Sequence, residues 1–425
     1  MATMLLSTHG TNGDVLSFVR LGAALAERGH DVTIATHARY APTVRAAGIE
    51  LVPIDTEDEY VRYLTDARDM LDARVGSARL PDLLGHYQRN DLFGQLRREV
   101  EAAVARHRAG ATVLVGRHTS GLATLIAAEL LGAPSVWVAL TPAQQLLLPV
   151  QVHLHRSTLA AGIDAVRADF GLAPVDDWAA WMSGADRQLG LWPRWFDKAG
   201  PPTVEAVEPV GFLLNDAAES GDLPPEVERI LADPSGPPVL VAASSGQMLW
   251  EPFYAAALYA CRRVGRPVIL VSPHLDALPD PIPAGVSWFP RLPYRDLVPR
   301  VAAVIHHGGI GTLGRCLAAG VPQVVLAHSF DQPDTGARLQ RCGVARFLPS
   351  TRWAPETAAE LLTEVLTDAR YAERSRRFGA TVDSTTTATR AAERIEALLA
   401  PPPAGSGAGT IAAAAGGALD MPQGR

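Results

Sequence analysis

The chain lacks the features that would direct it to a membrane or to nucleic acid. It has no run of about 18 consecutive apolar residues, which a membrane-spanning helix requires. No basic segment followed by an apolar one precedes the first predicted strand, so we expect a cytoplasmic location rather than secretion. The 38 basic and 45 acidic residues give a net charge of −7, and no Lys/Arg tract occurs. We therefore expect no nucleic-acid partner and no stable membrane insertion.

The chain also has little cysteine. Its three cysteines, Cys261, Cys316 and Cys342, lie far apart, and none of them forms a CxxC pair. This excludes a disulfide framework and a cysteine zinc site, and it fits a reducing compartment. No cluster of metal ligands is apparent either, so we expect neither a metal nor another cofactor. The oligomeric state cannot be predicted from this sequence.

Alternating apolar segments and helical patterns predict the fold class. With 425 residues, 48% of them hydrophobic, the chain can form two domains with large cores. Short apolar runs without alternation are typical of parallel strands buried on both faces, and helices between them indicate doubly wound α/β sheets. Predicted strands cover residues 4–8, 31–36, 50–54, 112–116, 135–140 and 210–214, and then 239–243, 268–271, 286–289, 301–305 and 323–327.

The most informative segment is 304–336, VIHHGGIGTLGRCLAAGVPQVVLAHSFDQPDTG. A strand, a glycine-rich turn and a helix N-terminus form a site for phosphate, because free backbone N–H groups and the helix dipole both favour an anion. At the end of the next strand stand Asp331 and Gln332, whose carboxylate and amide suit a ligand with hydroxyl groups. Diphosphate and hydroxyls together indicate a nucleotide-sugar.

The same glycines also fit a different function. Gly309, Gly311 and Gly314 match G-x-G-x-x-G after a strand, and Asp331 follows about 20 residues later, as in an NAD-binding oxidoreductase. Three observations count against that function. The turn lies late in the chain, a histidine pair precedes the glycines, and Gln-Pro follows the acid directly.

These residues resemble a known family. His-His-Gly-Gly-Ile-Gly-Thr followed by Asp-Gln-Pro is similar to the donor signature of family 1 inverting glycosyltransferases of the GT-B fold. The closest likeness is to bacterial members that decorate natural products, glycolipids and sterols. The segment 7–15, STHGTNGDV, is like the first loop of that group. The resemblance implies two Rossmann-like, doubly wound parallel-sheet domains that face each other across a cleft.

The resemblance also implies a domain organisation. Residues 1–215 would bind the acceptor, 216–237 would be a linker rich in Asp, Ser, Gly and Pro, and 238–385 would bind the donor. Residues 386–400 would form a helix that crosses back to the first domain. The Pro-, Gly- and Ala-rich segment 401–425 is expected to be disordered.

The donor would be a nucleoside-diphosphate sugar. By resemblance, His307 bonds the diphosphate, while Asp331 and Gln332 hold sugar hydroxyls. Arg315 replaces the glutamate that bonds the ribose in plant members, so a dTDP-sugar is as plausible as a UDP-sugar, and a deoxysugar is among the candidates. Arg315 and Arg338 are themselves expected on solvated helix faces. The full set of expected donor contacts is Ser245, Gly246, His307, Gly309, Gly311, Thr312, Asp331 and Gln332.

Transfer to the acceptor requires a general base. Asp14 is the first candidate, since the resembling bacterial enzymes place a catalytic carboxylate there; the alternative is a helix-capping role. His9 is the second candidate. His118 could contact a hydrophobic small-molecule acceptor or could be structural. His306, which follows the strand, could be functional or could simply be buried with one hydrogen bond. One base and in-line displacement predict inversion. A GT-B-fold epimerase or hydrolase, and a silent sugar-nucleotide-binding partner protein, remain alternatives.

Overall fold

The computed structural model describes residues 1–71, 82–118, 120–243, 246, 249, 251–328 and 330–399. The predicted disordered tail, 401–425, and Ser245 therefore lie outside the described residues. Within the described ranges, no helix is long and apolar enough to cross a bilayer.

The first domain is built on a sheet with the strand order β3-β2-β1-β4-β5-β6-β7, in which every pair of neighbours is parallel. Such a sheet needs helical crossovers, which cover both of its faces. Its strands are β1 (Thr3–Ser7), β2 (Asp31–Thr36), β3 (Glu50–Pro53), β4 (Thr112–Arg117), β5 (Ser135–Ala139), β6 (Arg187–Gly190) and β7 (Val207–Pro209). Its helices are α1 (Asn12–Glu27), α2 (Ala41–Ala46), α3 (Glu57–Leu71), α4 (Leu83–Arg89), α5 (Leu92–Arg106), α6 (Leu122–Leu131), α7 (Pro142–Leu146), α8 (Leu148–Leu154), α9 (Ala160–Asp169), α10 (Trp178–Ser183) and α11 (Arg194–Asp197).

The second domain repeats the architecture with the strand order β10-β9-β8-β11-β12-β13, again all parallel. Its strands are β8 (Val239–Ala242), β9 (Val268–Val271), β10 (Val286–Phe289), β11 (Ala303–His306), β12 (Gln323–Ala327) and β13 (Ala345–Pro349). Two short helices, α12 (Asp216–Glu219) and α13 (Pro225–Leu231), precede it. Its helices are α14 (Glu251–Val264), α15 (Tyr294–Leu297), α16 (Ile310–Ala318), α17 (Gln332–Cys342), α18 (Pro355–Thr367) and α19 (Ala369–Gly379), followed by α20 (Ser384–Glu396).

One predicted strand is wrong. Residues 210–214 are buried but are not a strand, and the last strand of the first sheet is β7. Gly211 has a φ of +128°, and the backbone N–H and C=O of Leu214 are both bonded by the Ser384 hydroxyl at 2.9 Å. The apolar run is buried because it lies against α20 and the second domain. Strands β6 and β13 were not predicted at all.

The two domains share a hydrophobic cluster. Trp192, Phe196 and Phe212 of the first domain pack with Leu313 and Leu339 of the second. Helix α20 then returns to the first domain and completes its core. The carboxyl ends of the two parallel sheets consequently face one cleft, where ligands of open α/β sheets bind.

Candidate active site

The acid loop, residues 8–14, leaves β1 and enters α1. Gly10 has a φ of +116°, and a Cβ there would collide with the Asp14 carboxylate. Asp14 accepts a hydrogen bond from the Thr11 backbone N–H at 2.8 Å. Asp14 therefore has the helix-capping role that was the alternative to catalysis. The capping contact also fixes the position of its carboxylate.

Arg117, at the end of β4, contacts the same carboxylate. Its guanidinium lies 2.8 Å from Asp14 Oδ1, and the two side chains are 15% and 25% exposed. The pair is thus accessible from the cleft. Asp14 therefore has an ion-pair partner in addition to its capping contact.

His9, the second candidate base, is held by a buried acid. Its Nε2 lies 2.5 Å from Glu99 Oε1, and Ser7 donates to the other oxygen of Glu99. Glu99 is 3% exposed, on a face of α5 where Leu96 and Val100 are also buried. The sequence signal for Glu99 was an acidic residue on an otherwise buried helix face. This signal does not identify the partner, because His9 lies 90 positions away.

A further histidine, His37, supports the backbone of the acid loop through a hydrogen bond. The Gly10 N–H donates to His37 Nε2 at 2.9 Å, while His37 Nδ1 bonds Asp55 at 2.7 Å. Burial lowers the pKa of His37, although Asp55 opposes this. The neutral ring therefore carries its proton on Nδ1. Tyr60 donates to the Gly10 carbonyl at 3.0 Å, so both polar groups of this glycine are held.

The glycine turn of the second domain, residues 306–312, is shaped by His306. This fully buried ring bonds Gln323 Oε1 at 2.8 Å through Nε2 and accepts the Gly308 N–H at 3.0 Å through Nδ1. Burial lowers its pKa to about 4. Gly308 has a φ of +98°, and a Cβ at this position would meet Val325 and Gln332. This position of the turn therefore requires glycine. His306 is therefore structural.

His307 faces the N-terminus of α16. A Cβ on Gly309 would collide with His307 Nε2, so the ring lies directly over this turn. Burial lowers the pKa of His307 to about 3, which keeps the imidazole neutral. Gly311 has open space on its Cβ side, and Thr312 is the third residue of the helix. These four residues surround the free N–H groups of the helix, as a phosphate site requires.

Asp331 immediately precedes α17 at the carboxyl end of β12. Burial raises its pKa to about 6, the charge of Asp14 adds to the rise, and the Thr141 hydroxyl opposes it. Asp331 and Asp14 are therefore close enough for their charges to interact, although they belong to different domains. The Gln332 side chain is buried and accepts from the His328 N–H at 2.9 Å, so its carbonyl oxygen braces the loop.

The acid loop and the glycine turn approach each other directly. A Cβ on Gly13 would lie 3.9 Å from Ile310 Cγ2, at the start of α16. An anion at this helix and a nucleophile beside Asp14 could therefore share one cleft.

Two further predicted contacts are His118 and Gly246. His118 is 1% exposed and packs on Trp137 with ring centroids 5.6 Å apart, and burial lowers its pKa to about 4. In this structure it has almost no surface for an acceptor. Gly246 is buried, but its neighbour Ser245 lies outside the described residues.

The prediction that Arg315 and Arg338 are solvated is wrong. Arg315 is 6% exposed and pairs with Glu219 at 2.6 Å and Asp216 at 2.7 Å, both from α12. Arg338 is fully buried and connects the two domains. Both side chains are buried against protein partners and are structural.

Comparison with known proteins agrees with this geometry. Two family models match the chain: the glycosyltransferase family 28 N-terminal domain over residues 4–136, and the C-terminal domain of erythromycin biosynthesis protein CIII-like proteins over residues 263–398. The chain is 28% identical to O-mycaminosyltylonolide 6-deoxyallosyltransferase from Streptomyces fradiae, over 89% of this chain and 93% of the relative.

Solved structures show the same fold. A glycosyltransferase of kitacinnamycin superposes with a TM-score of 0.70 at 21% identity, covering 94% of this chain and 99% of that one. The glycosyltransferase VinC in complex with dTDP superposes with a TM-score of 0.66 at 18% identity, covering 93% and 99%. Two parallel-sheet domains with this cleft therefore form a GT-B glycosyltransferase that uses a nucleotide-sugar. Within that class, the chain is similar to the bacterial natural-product glycosyltransferases of family 1.

Proposed function

We propose that this enzyme transfers a sugar, and specifically a deoxysugar, from a dTDP- or UDP-sugar to a hydroxyl of a hydrophobic natural-product-like acceptor, with inversion. The observation that carries the proposal is the approach of the two loops, with Gly13 opposite Ile310 and the charge of Asp14 acting on Asp331. The deoxysugar is supported by the name of the relative from Streptomyces fradiae, a 6-deoxyallosyltransferase.

The donor diphosphate would lie at the N-terminus of α16. The free N–H groups of the helix, the Thr312 hydroxyl and the neutral ring of His307 would stabilise the charge that develops on the leaving diphosphate. Asp331 would accept hydrogen bonds from the sugar. The dTDP complex of VinC supports a pyrimidine diphosphate at this site.

Asp14 or His9 would act as the base. As the acceptor oxygen attacks the anomeric carbon, its proton passes to the base, and the bond from that carbon to the diphosphate oxygen breaks with its electron pair. Attack from the face opposite the leaving group inverts the anomeric centre. Glu99 would hold and orient the His9 ring, as carboxylates do for general-base histidines.

The donor assignment is tested by calorimetric titration with UDP, dTDP and NAD. We expect a pyrimidine diphosphate to bind, and His307→Ala to weaken it by at least about ten-fold through loss of one charge-assisted contact. His107→Ala, which changes a histidine at the far end of α5, is the matched control. Binding of NAD alone would overturn the proposal in favour of an oxidoreductase.

Product analysis tests the reaction itself. With O-mycaminosyltylonolide as acceptor probe and dTDP-6-deoxyglucose as donor, we expect a glycoside with inverted anomeric configuration by NMR. Sugar release or epimerisation without acceptor would instead identify an epimerase or hydrolase. Tight donor binding without turnover on any acceptor would identify a silent binding protein.

A further inference from the structure

Gly10 is the flexible point of the acid loop, and it lies between the two candidate bases, His9 and Asp14. Its φ of +116° is open to glycine but rarely to other residues. Its N–H donates to His37 Nε2 at 2.9 Å, and its carbonyl accepts from the Tyr60 hydroxyl at 3.0 Å. Both contacts are buried. The course of the backbone that carries both bases therefore depends on side chains outside the loop.

The tautomer of His37 is fixed by a buried carboxylate. The His37 and Asp55 side chains are 1% and 0% exposed, and Asp55 Oδ2 lies 2.7 Å from Nδ1 of the ring. The second oxygen of Asp55 accepts from the Ala38 N–H at 2.9 Å, so both oxygens are held. A carboxylate only accepts hydrogen bonds, which places the ring proton on Nδ1 and leaves the Nε2 lone pair for the Gly10 N–H.

The glycine turn of the second domain is held in the same way. Gly308 also has a positive φ, and its N–H donates to Nδ1 of the buried His306 ring at 3.0 Å. The other ring nitrogen, Nε2, bonds Gln323 Oε1 at 2.8 Å. Each of the two loops that meet at the cleft thus has a positive-φ glycine whose N–H is held by a buried imidazole of lowered pKa. The repeated arrangement indicates that these rings hold the loops and do more than fill space.

Protonation of His37 would break its contact with the loop. A second ring proton, on Nε2, would meet the Gly10 N–H, and two donors cannot share one hydrogen bond. The titratable groups that face the ring come from the acid loop, the end of β3, α3 and α5: His9, Asp55, Tyr60, Tyr63 and Glu99. Burial is the largest cause of the lowered pKa of His37; the bond to Asp55 opposes it, and His9 adds to it. The ring is therefore neutral at neutral pH, and a proton taken up by His9 during the reaction would keep it so.

We propose that His37 is a positioning residue for catalysis, whose neutral Nε2 holds Gly10 and thereby places His9 and Asp14 for transfer of the acceptor proton. The inference rests on the proposed function, in which one of these two groups is the base. His37 is 1% exposed, so it offers almost no surface to a substrate and acts through the backbone of the acid loop. Protonation of the ring releases the loop.

Two substitutions of His37 separate its two hydrogen bonds. Glutamine carries its amide oxygen about as far as Nε2 and can accept from Gly10, whereas asparagine reaches only about as far as Nδ1 and can bond Asp55 alone. Hydrogen exchange of the acid loop, followed by mass spectrometry, reports the Gly10 contact without any substrate. We expect His37→Gln to keep native exchange and His37→Asn to raise the exchange rate of the loop by at least about ten-fold.

Asp55→Asn reaches the same contact without changing the ring. An amide has one acceptor oxygen where the carboxylate has two, so it cannot accept from both Ala38 and His37. With its oxygen on the Ala38 N–H, its NH2 faces the ring, which then carries its proton on Nε2 and no longer accepts from Gly10. This variant should therefore exchange like His37→Asn, and it supplies the same test if His37→Asn does not fold.

Release of dTDP from dTDP-6-deoxyglucose, in the presence of O-mycaminosyltylonolide, gives the catalytic readout. The kcat should fall by at least about ten-fold in His37→Asn and Asp55→Asn and stay within about three-fold of native in His37→Gln, with dTDP affinity unchanged in all three. His30→Asn is the matched control, since His30 also bonds a carboxylate, that of Glu396 at 2.7 Å, but lies at the opposite end of β2. It should change neither loop exchange nor kcat.

The pH profile separates this role from a purely structural one. The Gly10 bond requires the neutral ring, and the pKa of His37 is lowered in the folded protein. The bond is therefore present at neutral pH and is lost as the pH falls through that lowered pKa. Loop exchange, corrected for its intrinsic dependence on pH, should accelerate on acidification in the native enzyme and not in His37→Gln, whose amide does not titrate.

Native-like loop exchange in both His37→Asn and Asp55→Asn would overturn the inference, and so would faster exchange with unchanged kcat. An equal loss in His37→Gln or in His30→Asn would overturn it as well. Normal dTDP titration alongside any of these results leaves the proposed function intact. A native enzyme that binds no pyrimidine diphosphate would instead overturn the proposed function and, with it, the catalytic role of His37, even if the exchange data follow the Gly10 contact.

Discussion

Replacing Arg338 by methionine removes a buried charge while keeping most of the side-chain volume. In the native protein the guanidinium donates to the carbonyls of Phe196 at 3.1 Å, Asp197 at 2.5 Å and Pro201 at 2.7 Å. It also pairs with Asp334 at 2.7 Å. The three carbonyls belong to the first domain, whereas the arginine belongs to the second.

The expected cost follows from these partners. A hydrogen bond to a charged group contributes about 1.5–3 kcal/mol, and removing one member of a buried ion pair costs about 3–5 kcal/mol. These contributions overlap, because the same guanidinium makes all of them. Asp334 is 20% exposed, so water would partly replace the lost charge. We expect Arg338→Met to lower the free energy of unfolding by about 3–5 kcal/mol.

Urea-induced unfolding, followed by tryptophan fluorescence, measures this loss. Arg341→Met is the matched control, since exposed Arg341 donates a single bond of 3.1 Å to the Ala199 carbonyl in the same segment. It should cost less than about 1 kcal/mol. If Arg338→Met costs no more than Arg341→Met, the contacts to the first domain contribute nothing and the reasoning is refuted.

Three further predictions concern the two loops of the cleft. Gly308→Ala should lower dTDP affinity by at least about ten-fold in calorimetry, since its Cβ crowds the turn; Gly110→Ala has a similar positive φ in open space and should leave affinity unchanged. His306 has a folded pKa of about 4, below that of a free histidine, so it stabilises the fold above pH 6.5 and this contribution is lost as the pH falls towards 4. Lowering the pH from 8 to 5 should therefore cost about 2 kcal/mol less in His306→Gln than in the native protein, as urea titrations at both values would show. Replacement of the true base, by Asp14→Asn or His9→Gln, should lower kcat by at least about 100-fold with unchanged dTDP affinity; if neither variant lowers it, both assignments are wrong.

Much of the fold could be predicted from the sequence, because a parallel strand buried on both faces leaves a local apolar signature. Strands β9, β10 and β12 have the predicted boundaries. Strand β6, with the sequence RQLG, has no such run and is defined by pairing with β5 and β7. Its existence depends on neighbours that the local pattern does not contain.

The site was predictable only where residue type and spacing carry the chemistry. His307 lies beside the helix N-terminus as the motif predicts, and Asp331 is close enough to Asp14 for their charges to interact. The motif did not single out Gly308 as the residue that needs a positive φ. It also could not reveal Glu99 or Arg117, because their contacts with the acid loop join residues about 100 positions apart.

The return of α20 to the first domain has a consequence for how the chain is made. Ala388, Ala391 and Ile395 fill the core of the first domain, and Ser384 holds Leu214, 170 positions earlier. On a ribosome that adds about 5–20 residues per second, the first domain would wait roughly 10–35 s for its last helix. The second domain is synthesised entirely within that interval. A nascent chain would therefore expose the groove for α20 until that helix has been synthesised, and truncation before residue 384 should leave the first domain open to chaperones and proteases.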